Sequence, residues 1–451
     1  MEKLEFHNRT RILILILSTT CLTLSYANSL AFNFTVICMD NSTDWISSPS
    51  YVNGLFSAVA FGSILGALPL MHCLQYMGMR YTLTIYGFIS GIATFLFPIA
   101  VSYGYEYVFI VRALQGTFIG ISFSSVGAIA SQWSALIEAG TYISIISAHI
   151  QFSSILTMST AGMLCESSYG WPVLYYVFGV LTILFHIIFL VFFRDHPKLH
   201  RNVSSKELSK ITKDKPEFIK KQTVPYGAIC TSKVIISVWL SSIGGFLGFT
   251  VFLYYGPTYM NKVIGLDVKS TGFATAFPYV VGAVVKFVSG PLSDNATCFS
   301  EKSRLLFFAV VSQGFMASCF IIIAFTESAL IAQIAYTVCI GAAGMNIVGT
   351  IKCAQLVAQQ HLHFVLGVIS FAMCLLNLVL PAAVAIICPD NTADQWSLLF
   401  IGTAVFTIMM NIPFAFLADD KPAVWTGATW NANQVMDIEK IPRKLEEHQM
   451  N

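Results

Sequence analysis

The sequence predicts an all-α membrane protein of about twelve transmembrane helices arranged as two six-helix bundles. Three observations predict it. Of 451 residues, 56% are apolar and only 11% charged, against roughly 25% charged in an ordinary soluble chain, and the mean hydropathy is +0.70. So few charges cannot clothe a surface in water, so the bilayer must be the solvent for most of the chain. Apolar runs also recur at the length of ~20 residues that crosses the hydrocarbon core. Strand-like alternation is absent from them, which leaves helices to satisfy the backbone in lipid.

The runs in order are Ile12–Cys38, Val52–Leu74, Tyr81–Val101, Tyr107–Ile129, Thr141–Met163 and Pro172–Phe193, then Val234–Tyr254, Gly272–Leu292, Leu305–Phe325, Ala329–Ile351, Phe364–Cys388 and Trp396–Ala418. The first is too long for a cleaved signal peptide, lacks a small-residue cleavage site and leads into further spans, so it reads as a retained helix. Polar sequence from Arg194 to Lys233 separates the two sets. Within it Ser204, with Glu207 three residues on, has the form of a capping box. The organisation expected is a cytoplasmic tail (1–11), a first bundle (12–193), a cytoplasmic linker (194–233), a second bundle (234–418) and a polar, mostly disordered tail (419–451).

Orientation follows from the 25 Lys and Arg. With both termini in the cytoplasm, only Lys262 and Lys269 fall on the far side; Arg112, Lys286 and Lys352 fall in or at the edge of helices. Ten of the cytoplasmic ones lie in the linker, so the short loops alone decide less. Asn41-Ser42-Thr43 then lies in the first outside loop as a glycosylation acceptor, whereas Asn33-Phe34-Thr35 lies too near the helix. The location expected is a plasma membrane or an endomembrane vesicle.

Several functions are excluded. A net charge of +2 leaves no electrostatic footprint for nucleic acid. The 11 Cys show no CxxC pair or zinc spacing and read as small, adaptable packing residues. No metal site or cofactor is expected. There is no HExxH, no GxSxG and no pair of core carboxylates, so an intramembrane enzyme has no machinery. Rings of repeated pore residues, which mark channels, are also missing.

Charge inside a bilayer is expensive and faces a cavity where it serves function. The helix interiors carry three candidate cations, Arg112, Lys286 and Lys352, and no clear acid, which favours anions. Arg112 offers a planar fork suited to carboxylate or phosphate; its alternative is to snorkel outward or pair with Glu106. Lys286 reads as a snorkelling or structurally paired residue, and Lys352 as a flank or a cytoplasmic gate. His149 and Gln151 lie on different faces of the fifth helix. His149 is either a packing residue or a proton carrier. Asn28, Ser29 and Asn33 in the first helix need partners that a cavity could supply. Tyr255, just before Gly256-Pro257, could close over a substrate, and Asn346 adds a polar contact after the glycines at 341 and 344.

Ordered motifs along nearly the whole chain resemble the major facilitator superfamily. Gly290-Pro291-Leu292-Ser293-Asp294 matches its Gly-x-Leu-x-Asp loop, a gating element. The first-half copy keeps Gly78 and Arg80 but has Gln75 at the acidic position. More narrowly, the chain resembles the anion-transporting branch of sodium–phosphate cotransporters, sialin and vesicular glutamate transporters. Arg112-Ala113-Leu114-Gln115-Gly116 with Trp133 and Glu138, Gly170-Trp171-Pro172 with Tyr175-Tyr176 and Gly179, Gly256-Pro257-Thr258-Tyr259 with Gly272, Pro278 and Tyr279, and Gln395-Trp396 with Asp420-Lys421 and Trp425 carry this likeness. It implies that Arg112 contacts the substrate and that Gln151 occupies a family position. The chain departs from the branch at Ala135, Leu136 and Ala139, at Ser29 where glutamate carriers place Arg, and at Ile119 where proton-coupled members place Glu.

The resemblance implies a secondary active carrier of a small organic or inorganic anion, working by alternating access as a monomer. Helices one, four, seven and ten would form its central site. Sodium or a proton would be the co-transported species. An anion channel and a carrier-derived sensor without flux are the rival readings.

Overall fold

In a computed structural model the chain is described at residues 9–39, 45–46, 48–135, 138–213, 224–295 and 299–426; at 71, 139–140, 290–295, 347–348 and 360 only the backbone is described. Sixteen α-helices follow one another: α1 Thr10–Thr35, α2 Pro49–Ala67, α3 Leu70–Tyr103, α4 Tyr105–Trp133, α5 Ala139–Ser147, α6 His149–Glu166, α7 Pro172–Phe192, α8 Ser205–Thr212, α9 Tyr226–Cys230, α10 Lys233–Thr258, α11 Val268–Asn295, α12 Glu301–Phe325, α13 Ala329–Asn346, α14 Lys352–Ala358, α15 Leu362–Ile387 and α16 Ala393–Leu417. No strand occurs among the described residues.

Eleven of the described helical stretches are long and apolar enough to cross a membrane. The expected fifth span is present but broken at Ala148 into α5 and α6. Gln151, Ser153, Ser154, Thr157, Ser159 and Thr160 dilute the apolar character of α6. The expected second span ends early, at Ala67, because Pro69 breaks the helix. The third begins as a bent extension whose kink is Gly78, at φ 74°. Short π-helical turns at Tyr259–Val263 and Ile347–Ile351 extend the seventh and tenth spans.

Water does not drive helices together inside lipid, so close packing of small residues must do it. The α2–α4 contact shows how. A Cβ on Gly62 would lie 1.8 Å from the Ala113 carbonyl oxygen, and one on Gly116 would lie 2.0 Å from that of Val59. The backbones therefore touch. Large apolar side chains such as Ile92, Ile99, Val191, Phe315 and Val379 stay exposed on the outer surface, as lipid-facing residues should.

The first helices (α1–α7) and the later ones (α10–α16) meet chiefly where α6 packs on α11 and α2 packs on α15. Their joining is uneven along the membrane normal. At the end opposite the linker, one continuous core mixes both sets: Phe32, Phe56 and Tyr175 pack with Phe252, Tyr254, Tyr255 and Trp396. At the linker end the cores are separate. Ile14, Phe118, Trp133 and Phe193 belong to one; Val238, Leu305, Val357 and Phe414 belong to the other. In keeping with this, α6 lies along α11 while α5 barely touches it. The two sets share one core at the far end and keep separate cores at the linker end.

The linker docks on the first set. Ser204 Oγ accepts from Glu207 N at 3.1 Å, the forward half of the expected box. The Glu207 carboxylate does not return to Ser204; it accepts from Arg11 N at 2.8 Å, on the positive end of α1. Glu138 meets Arg11 and Lys210, both at 2.6 Å. Lys210, and after it Arg11, holds the Glu138 carboxyl below its ordinary value of 4.5. A depressed acid contributes its stability above the ordinary value and loses it as pH falls through the folded one. Protease cleavage within residues 194–233 should therefore be as slow at pH 5.5 as at pH 7, and faster in Glu138→Gln. The difference should be severalfold at most, because exposed pairs contribute only about 0.2–1 kcal/mol each. A linker cut equally fast in both proteins would show that the pair does not hold it.

One sequence expectation needs correction. Cys38 and Cys165 do more than pack: they form a disulfide, 127 residues apart in sequence, at the far ends of α1 and α6. Spacing that wide carries no local signature. The first residues after Asp419 dock on the later helices, where Ala423 N donates to Val357 O at 3.1 Å and Trp425 is buried against α14 and α15. Residues 427–451 lie outside the described residues, as does Asn41.

Candidate functional site

The centre of the molecule is where α1, α4, α6, α10, α11 and α15 approach. On α4, Arg112, Gln115, Ile119 and Phe123 recur at helical spacing on one inward face. Arg112 is 1% exposed. It does not snorkel and does not pair with Glu106. Its Nη1 donates to Ser29 O and to Gln115 Oε1, both at 2.9 Å, and its guanidinium lies 5.0 Å over the Phe32 ring. Gln115 is fixed in turn, donating to Thr94 Oγ1 and receiving Ser29 Oγ on its carbonyl, both at 2.9 Å. The Nε of Arg112 is buried with no partner. A buried donor left unmade costs ~1–3 kcal/mol, more on a charged group, so this fork is held in place with binding capacity unspent.

Charge of the opposite sign is missing around it. Among the described residues, the only buried carboxylate is Glu207, in the linker. Lys286 of α11 is 8% exposed. It faces the backbone at Gly344 of α13, where a Cβ would lie 3.7 Å from Lys286 Cβ. The snorkelling expected of it does not occur, because the close α11–α13 packing encloses its stem. His149 is fully buried on α6. Its Nδ1 contacts Ile146 O at 2.9 Å, its Nε2 has no partner, and its ring meets Tyr26 edge-on at 5.6 Å.

The sequence does not single out Tyr26 or Asn377, yet they line the centre. A cavity of about 20 Å³, room for one water, is bounded by Tyr26, Ile119, Gly120, Phe123, Phe246, Cys374 and Asn377. Asn377 Oδ1 is buried there without a partner. Tyr26 could have been found by spacing: with Ser29 and Asn33 it forms one stripe of α1, and Asn28 falls off that stripe.

The other expected residues separate into groups. Asn28 is turned away from the centre; its Nδ2 donates to Ser90 Oγ and Thr182 Oγ1 at 3.1 and 3.0 Å, tying α1 to α3 and α7. Asn33 Nδ2 donates across to Leu253 O at 3.3 Å, and Tyr255 donates to Asn53 Oδ1 at 2.7 Å. Both bonds span the closed far end. Beyond them lies a cavity of about 300 Å³ lined by Asn53, Tyr255, Lys262, Asp390 and Asn391 among others. Gln151 is 7% exposed with its Oε1 unpaired. Asn346 belongs to a polar cluster inside the later helices, receiving Gln313 Nε2 at 3.3 Å.

At the linker end, Gly78 bends so tightly that a Cβ would lie 2.7 Å from Asp195 Oδ2. Arg80 N donates to Asp195 Oδ1 at 3.0 Å, and Arg80 Nε to Leu190 O at 2.7 Å. Asp195 thus supplies, from the end of α7, a carboxylate where Gln75 provides none. Lys352 pairs with Glu301 at 3.1 Å, and Glu301 also meets Arg304. Gly290 and Asp294 lie on the last turns of α11, and their side chains are outside the described residues.

Relatives and solved folds bear on this arrangement. Human sodium-dependent phosphate transport protein 1 is 24% identical over 441 residues, covering 90% of this chain and 92% of that protein. Human sialin is 22% identical over 370 residues, covering 81% and 74%. A bacterial homologue of the human lysosomal transporter Spinster, inward-facing and unoccupied, superposes with a TM-score of 0.68 at 14% identity, covering 90% and 97%. The xylose transporter XylE from E. coli, in an inward open conformation, gives 0.65 at 17%, covering 89% and 96%. The family model of the Major Facilitator Superfamily matches residues 15–381. The chain is a multi-pass membrane transporter, not an enzyme, and it belongs to the Major Facilitator Superfamily.

Proposed function

We propose that this protein is a secondary active carrier of a small organic or inorganic anion. The observation that carries the reading is Arg112: a fully buried guanidinium with an unspent donor, in a bundle with no buried carboxylate among its described residues. A solute anion is the partner such a charge lacks. The names of the relatives, a sodium-dependent phosphate transport protein and sialin, support the same class.

Residues 12–193 and 234–418 act as two bodies that rock about the site, alternately opening each end. Separate cores at the linker end and a shared core at the far end support this division. Asn33 and Tyr255 latch the far end, and Gln151 faces the solute. Asn28 and Asn346 hold the helices that frame it. Gly78 with Arg80, Gly290 with Asp294, and Lys352 govern the linker-end gate. Sodium or a proton accompanies the anion. With no buried acid to receive a cation, His149 is the candidate proton carrier. The chain works as a monomer.

The linker end is cytoplasmic in this reading, supported by Lys and Arg placement and by the far-end disulfide, which suits an oxidising compartment. In sealed cells, an impermeant label should reach a cysteine placed at Trp45 but not one placed in the linker. Labelling of both from the same side would overturn the orientation.

Counterflow in proteoliposomes, with a panel of anions and imposed sodium or proton gradients, tests the function. Saturable, gradient-driven exchange is the expected result. Single-channel currents would support the channel reading instead, and absence of flux for every anion would leave the sensor.

A further inference from the structure

Three unspent polar groups lie together on the linker side of Arg112, and the anion contact at Arg112 does not use them. The first is Lys286. Its side chain is 8% exposed and makes neither hydrogen bond nor ion pair among the described residues. The second is the Nε2 of His149, fully buried and unpaired, on α6, which packs along α11, the helix that carries Lys286. The third is the hydroxyl of Tyr26, whose ring contacts His149 at 5.6 Å and lines the small cavity. They come from α11, α6 and α1. Tyr279, on the same face of α11 as Lys286 but two turns away, adjoins Tyr26 and Tyr336; the Tyr336 hydroxyl turns to Phe252 O at 3.4 Å.

The imidazole geometry fixes the chemistry. A carbonyl oxygen only accepts, so the 2.9 Å contact between His149 Nδ1 and Ile146 O places the ring proton on Nδ1. Nε2 of the neutral ring is then an acceptor. The site therefore offers a fixed positive donor, a hydroxyl that can give or take, and one bare acceptor. A plain anion satisfies the ammonium and leaves Nε2 empty. An anion that also carries a hydroxyl satisfies both.

We propose that Lys286, His149 and Tyr26 form a second anion subsite, on the linker side of Arg112, selective for small anions bearing a hydroxyl, namely hydrogen phosphate or a hydroxycarboxylate. It rests on the anion-carrier reading but makes a separate claim. Its place on the linker side makes it the solute's contact when the linker end is open. Lys286 binds the negative oxygen and His149 Nε2 accepts from the solute's hydroxyl. Matched pairs test this: sulfate resembles phosphate but has no hydroxyl at pH 7.5, and propionate is lactate without its hydroxyl.

The experiment measures thermal unfolding of the purified full chain in detergent, titrated with phosphate, sulfate, lactate and propionate, since a ligand bound to the folded state raises the melting temperature. Phosphate or lactate should act at concentrations at least tenfold lower than its hydroxyl-free counterpart, and whichever acts identifies the source of the hydroxyl. Lys286→Gln should lose the preference for phosphate and lactate, any remaining response being that of the Arg112 contact, while its unliganded melting temperature stays the same or rises because a buried unpaired charge is gone. Lys286→Arg should keep the preference. His149→Asn retains the donor to Ile146 O and lacks the distal acceptor, so it should respond equally to both members of each pair. Equal potency within both pairs in the unmodified protein, or an unchanged preference in a folded Lys286→Gln, overturns the subsite. Counterflow separates the claims: an anion that is carried but shows no such selectivity removes the subsite alone, whereas no flux and no thermal response remove both.

Discussion

Arg112→Ala should abolish transport of the anion, and Arg112→Lys should retain weak transport. The alanine variant loses charge, fork and the two hydrogen bonds to Ser29 O and Gln115 Oε1. Lysine keeps the charge as a point and loses the planar pair of donors. A lost hydrogen bond to a charged group costs ~1.5–3 kcal/mol, roughly ten- to a hundredfold in affinity. Concentration-dependent uptake at matched surface expression checks this. Conservative change at Lys286, such as arginine, should cost less. An alanine variant with unchanged affinity would make Arg112 a structural residue, tying α1 to α4.

Widening the seam between α6 and α11 should be nearly as damaging. Gly162 and Gly272 meet with almost nothing between them: a Cβ on Gly162 would lie 2.9 Å from Gly272 Cα. The atoms it would meet, Gly272 Cα and N and Lys269 O, are backbone, so none can swing aside. Gly162→Val therefore pushes the first helices from the later ones at the end that is now closed. Asn33 and Tyr255 would lose their cross-bonds to Leu253 and Asn53. Uptake should fall at least tenfold. A cysteine at Phe56, buried in this closure, should react with an impermeant thiol reagent at least tenfold faster when Gly162→Val is also present. Unchanged reactivity would mean the seam tolerates the bulk and closure does not depend on it.

The spans were legible because bilayer crossing imposes a length and a composition that a single chain displays directly. The likeness of motifs supplied the division into two six-helix bundles. What was hidden depends on partners distant in sequence. Asn28 reads as a polar group in need of a cavity, yet Ser90 and Thr182 satisfy it. Lys286 reads as able to reach the interface, and only the approach of α13 at Gly344 encloses it. Asp195 belongs by sequence to the linker, but it completes the bend at Gly78 from the end of α7. Tyr26 looks like one more aromatic in an apolar helix until His149 is seen against it.

The Cys38–Cys165 bridge closes residues 38–165, from just after α1 to the last turn of α6, into a covalent loop. A single cut anywhere within it, for example in the connection between α4 and α5, leaves two pieces that migrate as one on a denaturing gel until a reductant parts them. The loop also orders biogenesis. The first helix emerges from the ribosome long before the sixth, so its thiol must wait, unpaired, for a partner that has yet to be synthesised. Chains stalled before Cys165 would carry Cys38 open to any passing oxidase or alkylating reagent, and those completed past it would not.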